Sequence, residues 1–251
     1  MKHILLIFIL LLPVMTFGQS KESNNLFKKG IKLLDAEKYG EALTYFQKSD
    51  SLDKAILKPT AKNYHRAELK MADCYEEIAS QADDEGHYNE ALNIQKNVVE
   101  IRKKVLGEEH PDYAISLSNL AGYYSDLGNY TEAIRLETRA LEICKKVLGE
   151  EHPDYAISQS NLAGYYSDLG NYTEAIRLGT LALEIHKKVL GEEHPDCAIP
   201  LNNLAIYYAE LGNYSEAIRL GTLALEIRKK ILGDAHPDYA DALSDLASYY
   251  S

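Results

Sequence analysis

The motif His-Pro-Asp occurs four times at a spacing of 42 residues, at His110-Pro111-Asp112, His152-Pro153-Asp154, His194-Pro195-Asp196 and His236-Pro237-Asp238. The copying extends between the motifs, because Gly107 to Leu148 differs from Gly149 to Leu190 only at Leu117/Gln159, Glu137/Gly179, Arg139/Leu181 and Cys144/His186. A period of this length belongs to a stacked array, in which each unit buries its apolar surface against its neighbours. It overrides the ordinary division of 251 residues into one or two globular domains. Any His, Asp or Ser proposed as catalytic in one copy reappears in the others, and the chain has no Gly-rich phosphate loop, nucleophile elbow or His-Glu-x-x-His helix. The expectation is therefore a non-catalytic protein without cofactor or metal, acting through a surface made by several copies.

Each copy reads as two helices. The first is predicted to start at Pro111, whose missing N–H is not needed in a first turn, with Asp112 near the positive end of the helix dipole. Leu117, Leu120, Ala121 and Tyr124 then fall on one helical face, and Leu127-Gly128 supplies a glycine stop. Asn129 with Glu132 three residues later has the form of a capping box, and the pair recurs as Asn171/Glu174 and Asn213/Glu216. The second helix is apolar on two sides: Ala133, Leu136, Ala140, Ile143 and Val147 on one, Ile134, Leu141 and Leu148 on the other. That suits contact both with its own partner helix and with the next unit. Lys145 and Lys146 place positive charge at its end before a second stop at Gly149.

Leu26 to Asp50 suits a short helix pair, and Lys62 to Leu106 repeats the pattern with about six extra residues between Tyr75 and Gly86, predicted to lengthen the first helix or form a loop. The division of the chain is thus a leader over 1–18, a short linker over 19–25, degenerate repeats over 26–106, and the 42-residue array over 107–251. Tyr249-Tyr250-Ser251 copies Tyr123-Tyr124-Ser125, so the last unit is expected to be incomplete, which leaves open continuation of the chain or self-association through an uncapped face.

The leader reading rests on a basic Met1-Lys2-His3, unbroken apolar sequence from Ile4 to Leu12, and Thr16 and Gly18 placed like a cleavage site before Gln19. The apolar run is shorter than the roughly 20 residues a membrane span needs, so export to the periplasm or the extracellular space without a stable membrane anchor is expected. Cys74, Cys144 and Cys197 fall at unrelated places and read as incidental helix residues. A net charge of -11 opposes nucleic acid and favours a neutral to basic partner.

These repeats resemble the tetratricopeptide repeat family, and the 42-residue form with His-Pro-Asp-x-Ala before the first helix is similar to the kinesin light chain subtype. The signature is Leu120-Ala121, Tyr124, Gly128, Tyr130, Ala133 and Ala140. It returns at Leu162-Ala163, Tyr166, Gly170, Tyr172, Ala175 and Ala182, and at Leu204-Ala205, Tyr208, Gly212, Tyr214, Ala217 and Ala224. The resemblance implies an all-α, right-handed superhelical solenoid of antiparallel helix pairs whose concave side, lined by first helices, receives a peptide or protein segment. Carried onto this chain, the groove positions are Ser118, Asn119, Gly122, Ser125 and Asp126, then Ser160, Asn161, Gly164, Ser167 and Asp168, then Asn202, Asn203, Ile206 and Glu210. Asn119, Asn161 and Asn203 would form a ladder of donors and acceptors for an extended backbone, and Gly122 and Gly164 would let that backbone approach. Glu137, Gly179 and Gly221 stand where the family usually has an aromatic residue, so looser packing between units is expected there.

The family resemblance also leaves open a second reading, a recognition arm of a larger enzyme or signalling protein with a caspase-like peptidase or sensor kinase beyond Ser251. A kinesin-type cargo adaptor is opposed by the leader and by the lack of an N-terminal heptad pattern. His-Pro-Asp also occurs in J-domain cochaperones, as a single copy between two helices. Four copies at the joints of an array read as turns and helix starts. The glycosylation sequons at Asn129, Asn171 and Asn213 coincide with the expected caps, and the tyrosine pairs with the apolar face.

Overall fold

The computed structural model describes residues 20–233 and 236–250. The leader and its cleavage site lie outside the described residues. Among those described, all regular structure is helical, and no helix is long and apolar enough to cross a membrane. The chain divides into two compact units, the first ending at Glu108 and the second beginning at Glu109.

The first unit holds α1 (20–34), α2 (Tyr39–Ile56), α3 (Arg66–Asp84) and α4 (Tyr88–Leu106). Phe27 of α1 meets Phe46 of α2 with ring centroids 5.5 Å apart, in a core shared with Ile31, Leu34, Ala42, Ala67 and Cys74. A side chain on Gly30 would lie 2.6 Å from the Phe46 ring, so the close crossing of these helices requires glycine. Residues 20–25, expected as linker, are helical because they are tied down by buried polar groups. Ser23 donates to Asp53 Oδ1 at 2.5 Å, and Arg66 donates to Asp53 Oδ2 at 2.9 Å and to Asn24 at 2.6 Å. Beside this cluster Glu68 accepts from Lys54 at 2.9 Å, from Lys104 at 2.6 Å and from His65. Burial opposes the charge on Glu68, but these three donors outweigh it and hold the carboxyl at about 2. The extra residues before Gly86 lengthen α3, whose end closes as in the later copies: His87 N–H donates to Ala82 O as Asn129 N–H donates to Tyr124 O.

The second unit contains α5 (Pro111–Asp126), α6 (Tyr130–Val147), α7 (Pro153–Asp168), α8 (Tyr172–Leu190), α9 (Ala198–Glu210), α10 (Tyr214–Leu232) and α11 (Pro237–Ser248). Consecutive helices pair as α5/α6, α7/α8 and α9/α10, and each second helix also packs on the first helix of the next pair. The result is a solenoid of antiparallel helix pairs. Leu162, Leu178, Leu201, Leu204 and Leu220 are buried in one continuous core that runs through successive copies. Val147, expected on a buried side, is exposed in the last turn of α6, while Ala133, Leu136, Ala140 and Ile143 are buried as the spacing predicts.

The helix ends follow the sequence with three differences. His110, His152 and His194 are the N-caps, each accepting at Nδ1 from the Asp N–H two residues on, at 3.1, 3.2 and 3.3 Å. Capping by the imidazole itself was not expected from the motif. The capping box is only half made: Asn129, Asn171 and Asn213 each accept from the Glu N–H at 3.3 Å, but Glu132, Glu174 and Glu216 pair with Arg135, Arg177 and Arg219. In the third copy Pro195–Cys197 forms a single 3-10 turn and the α-helix begins at Ala198. Pro200 stands where the earlier copies have Ser116 and Ser158, and having no N–H it is tolerated only in a first turn, so the helix start is displaced to place it there. Gly128, with φ 73°, and Gly149, with φ 91°, adopt the left-handed conformation that closes the helices before them.

Candidate functional site

Because the copies are stacked in register, equivalent residues of α5, α7 and α9 form one face. Of the expected groove residues, Asn119, Asp126, Asp168, Ile206 and Glu210 are exposed. Ser118, Gly122, Ser125, Ser160, Asn161, Gly164, Ser167, Asn202 and Asn203 are half-buried. Contacts between copies cross this face. Asn161 Nδ2 donates to Ser118 Oγ at 3.4 Å, and Asn202 Nδ2 donates to Asp245 Oδ2 at the equivalent place two copies on, also at 3.4 Å. Tyr172 OH donates to Glu210 Oε2 at 3.2 Å. The Asn161 amide of the ladder is thus engaged within the protein, across the joint between two copies.

The glycines of the repeat divide into two kinds. A methyl on Gly179 would lie 3.1 Å from Leu204 Cδ2, and one on Gly221 would lie 3.2 Å from Leu246 Cδ1. Here the following copy fills the space of the missing side chain, so packing is tight where looser packing was expected. Gly122 and Gly164 differ. A methyl on Gly164 would meet nothing within 4 Å, and one on Gly122 only the Tyr165 hydroxyl at 4.0 Å. Neither has a positive φ, and both lie inside helices, where glycine costs about 0.5–1 kcal/mol relative to alanine. Packing and backbone geometry give no reason for these two.

Glu137 occupies the position of Gly179 and Gly221 and is fully buried. Both its oxygens accept from Ser118 Oγ, at 2.7 and 2.6 Å, and Ser158 and Asn161 add further donors. No cation is paired with it among the described residues. Burial pushes its carboxyl up to about 7, against the lowering effect of those neutral donors. Its charge adds to burial in raising the Tyr165 hydroxyl and the Cys144 thiol. Ser118, Ser158 and Asn161 also line a cavity of about 270 Å³ between α5 and α7, with Ile115, Ile157 and Asp154 among the other walls. No repeat motif marks Glu137 as a functional group. Its signal was present in the sequence, because Glu137 is one of the four positions at which the first two copies differ.

The tetratricopeptide repeat family matches residues 75–146, 118–185 and 154–230. Comparison with curated protein sequences finds no match. Among solved structures, nearly identical TPR-like repeats from Podosopora anserina, described as a kinesin light chain, are 26% identical, with a TM-score of 0.58 over 84% of this chain and 97% of that one. BtubC (BKLC) from P. vanneervenii is 20% identical, with a TM-score of 0.61 over 88% and 94% of the two chains. YrrB, a TPR protein with an unusual peptide-binding site, is 17% identical, with a TM-score of 0.54 over 87% and 89%. The last two likenesses show the fold alone.

Proposed function

Because the chain belongs to the tetratricopeptide repeat family, whose repeats generally serve protein–protein interaction, we propose that it is a non-catalytic scaffold binding an extended peptide or protein segment across α5, α7 and α9. One observation carries the reading. Gly122 and Gly164 stand at the same position of successive helices, with open space beyond Gly164, only the Tyr165 hydroxyl at 4.0 Å from a methyl on Gly122, and polar Ser118, Asn119, Ser160 and Asn161 one turn earlier. A helical glycine that no neighbouring side chain requires leaves room for a second backbone, and the adjacent amides and hydroxyls supply its donors and acceptors. Asp126, Asp168 and Glu210 along the same face favour a neutral to basic segment. The peptide-binding site of YrrB agrees with this use of the fold. Export after removal of residues 1–18 belongs to the same proposal, and N-terminal sequencing of the mature protein tests it.

The glycine pair gives a test that separates binding from folding. Peptides are selected from a random display library on the wild-type chain and then measured against Gly122→Ala/Gly164→Ala. Helix propensity raises the stability of the double variant by about 1–2 kcal/mol, while a backbone lying on the glycines must withdraw, so affinity falls. Unchanged affinity in the stabilised variant overturns the groove reading.

A further inference from the structure

An array of near-identical copies offers a bound segment several equivalent registers, since sliding by one repeat restores nearly the same contacts. Glu137 removes that equivalence, because the next two copies have Gly179 and Gly221 in its place. We propose that the cavity between α5 and α7 receives a basic side chain, lysine or arginine, from the bound segment, with the buried carboxyl of Glu137 as its counter-charge, and so sets the register of that segment.

The geometry supports a cation on three counts. A buried carboxyl held only by neutral donors is stabilised by any positive charge brought near it, and the low dielectric strengthens that attraction. Ser118 Oγ donates to Glu137, accepts from Asn161 and faces the cavity, so its second oxygen lone pair can accept from an ammonium or guanidinium group while its proton stays on the carboxylate. Ser158 stands on the facing helix in the same relation to both. The walls suit the rest of such a side chain: Ile115 and Ile157 are 42% and 51% exposed and would cover its aliphatic stem, with Asp154 as a second acid among the lining residues. The lining residues include no cation, and the titratable groups coupled to Glu137 from its own helix and from α7 are the Cys144 thiol and the Tyr165 phenol, both neutral, beside the uncharged Ser158 and Asn161.

This inference rests on the groove reading for the source of the side chain, but the cavity itself is testable alone. The full chain is titrated with N-acetyl-lysine amide and, separately, with the uncharged N-acetyl-norleucine amide. The Ile115 and Ile157 methyl signals and the Glu137 carboxyl carbon are followed by NMR. The lysine probe is expected to shift all three, to lower the titration midpoint of the carboxyl from about 7, and to bind more tightly as pH rises through that value. Glu137→Gln, which keeps the shape, should weaken lysine binding by roughly tenfold or more and abolish its pH dependence. Glu137→Gly, the residue of the later copies, provides a second variant if the amide disturbs the serines. The proposal is overturned if the norleucine probe binds as well as the lysine probe, if both variants bind lysine as wild type does, or if no methyl moves. Loss of peptide binding in the glycine variants with lysine binding intact would remove the groove and leave the cavity.

Discussion

Gln159 is buried at 3% exposure where the flanking copies have Leu117 and Leu201, and its Oε1 has no hydrogen-bond partner. An unsatisfied buried acceptor costs about 1–3 kcal/mol, and leucine already fits this position in two neighbouring copies. Gln159→Leu is therefore expected to stabilise the chain by about 1–2 kcal/mol, seen as a higher urea midpoint at unchanged slope. A lower midpoint would show that the amide is satisfied after all. The side chains of this position and of Glu137 illustrate the limit of periodicity. Spacing placed Gln159 and Leu117 on the same face, and comparison of the copies marked Glu137 as different. Depth was not legible, because it depends on what the following copy brings. Leu204 arrives on Gly179 from 25 residues away, and the space at Glu137 is closed by Ser118, Ser158 and Asn161 from two different helices.

The helices were legible nearly to the residue, since their start and stop signals are local. Pro111 and Pro153 open α5 and α7, Asn129 and Asn171 cap α6 and α8, and glycines end them. What was not legible was the third partner in each case: an imidazole acting as N-cap, a capping-box glutamate drawn off by an arginine, and a proline three residues into α9. The cap has a measurable consequence. His152 Nδ1 accepts the Asp154 N–H at 3.2 Å and satisfies a donor that α7 leaves open. His152→Ala should cost about 1 kcal/mol, whereas His152→Asn, which keeps a capping oxygen, should cost little. Thermal unfolding gives the energies, and faster hydrogen exchange at Asp154 in the alanine variant locates the loss. Equal stability of the two variants would mean that the ring contributes packing and not a cap.

Across the molecule, the repeat period dictated the solenoid, but the two units handle charge in opposite ways, and only the structure shows this. In the first unit Glu68 is held at about 2 by His65, Lys104 and Lys54, below the ordinary 4.5. Its stabilisation is complete above about 4.5 and is lost as pH falls toward 2, because the unfolded chain then binds the proton more readily. In the second unit burial raises Glu137 to about 7, so the folded state keeps a proton that the unfolded chain releases. Stability from this group is full below about 4.5 and declines as pH rises toward 7. Each displacement amounts to about 3 kcal/mol at 1.36 kcal/mol per unit. Repeat arrays open locally, so the two effects need not average into one transition. Native-state hydrogen exchange, corrected for intrinsic rates, should show amides of α3 losing protection on acidification from about pH 5 to about pH 3. Amides of α6 and α7 should instead lose protection from about pH 5 to about pH 7.5, and Glu137→Gln should flatten that second response while leaving the first. Parallel responses in the two units, or an unchanged slope in the variant, would place the buried proton somewhere other than Glu137.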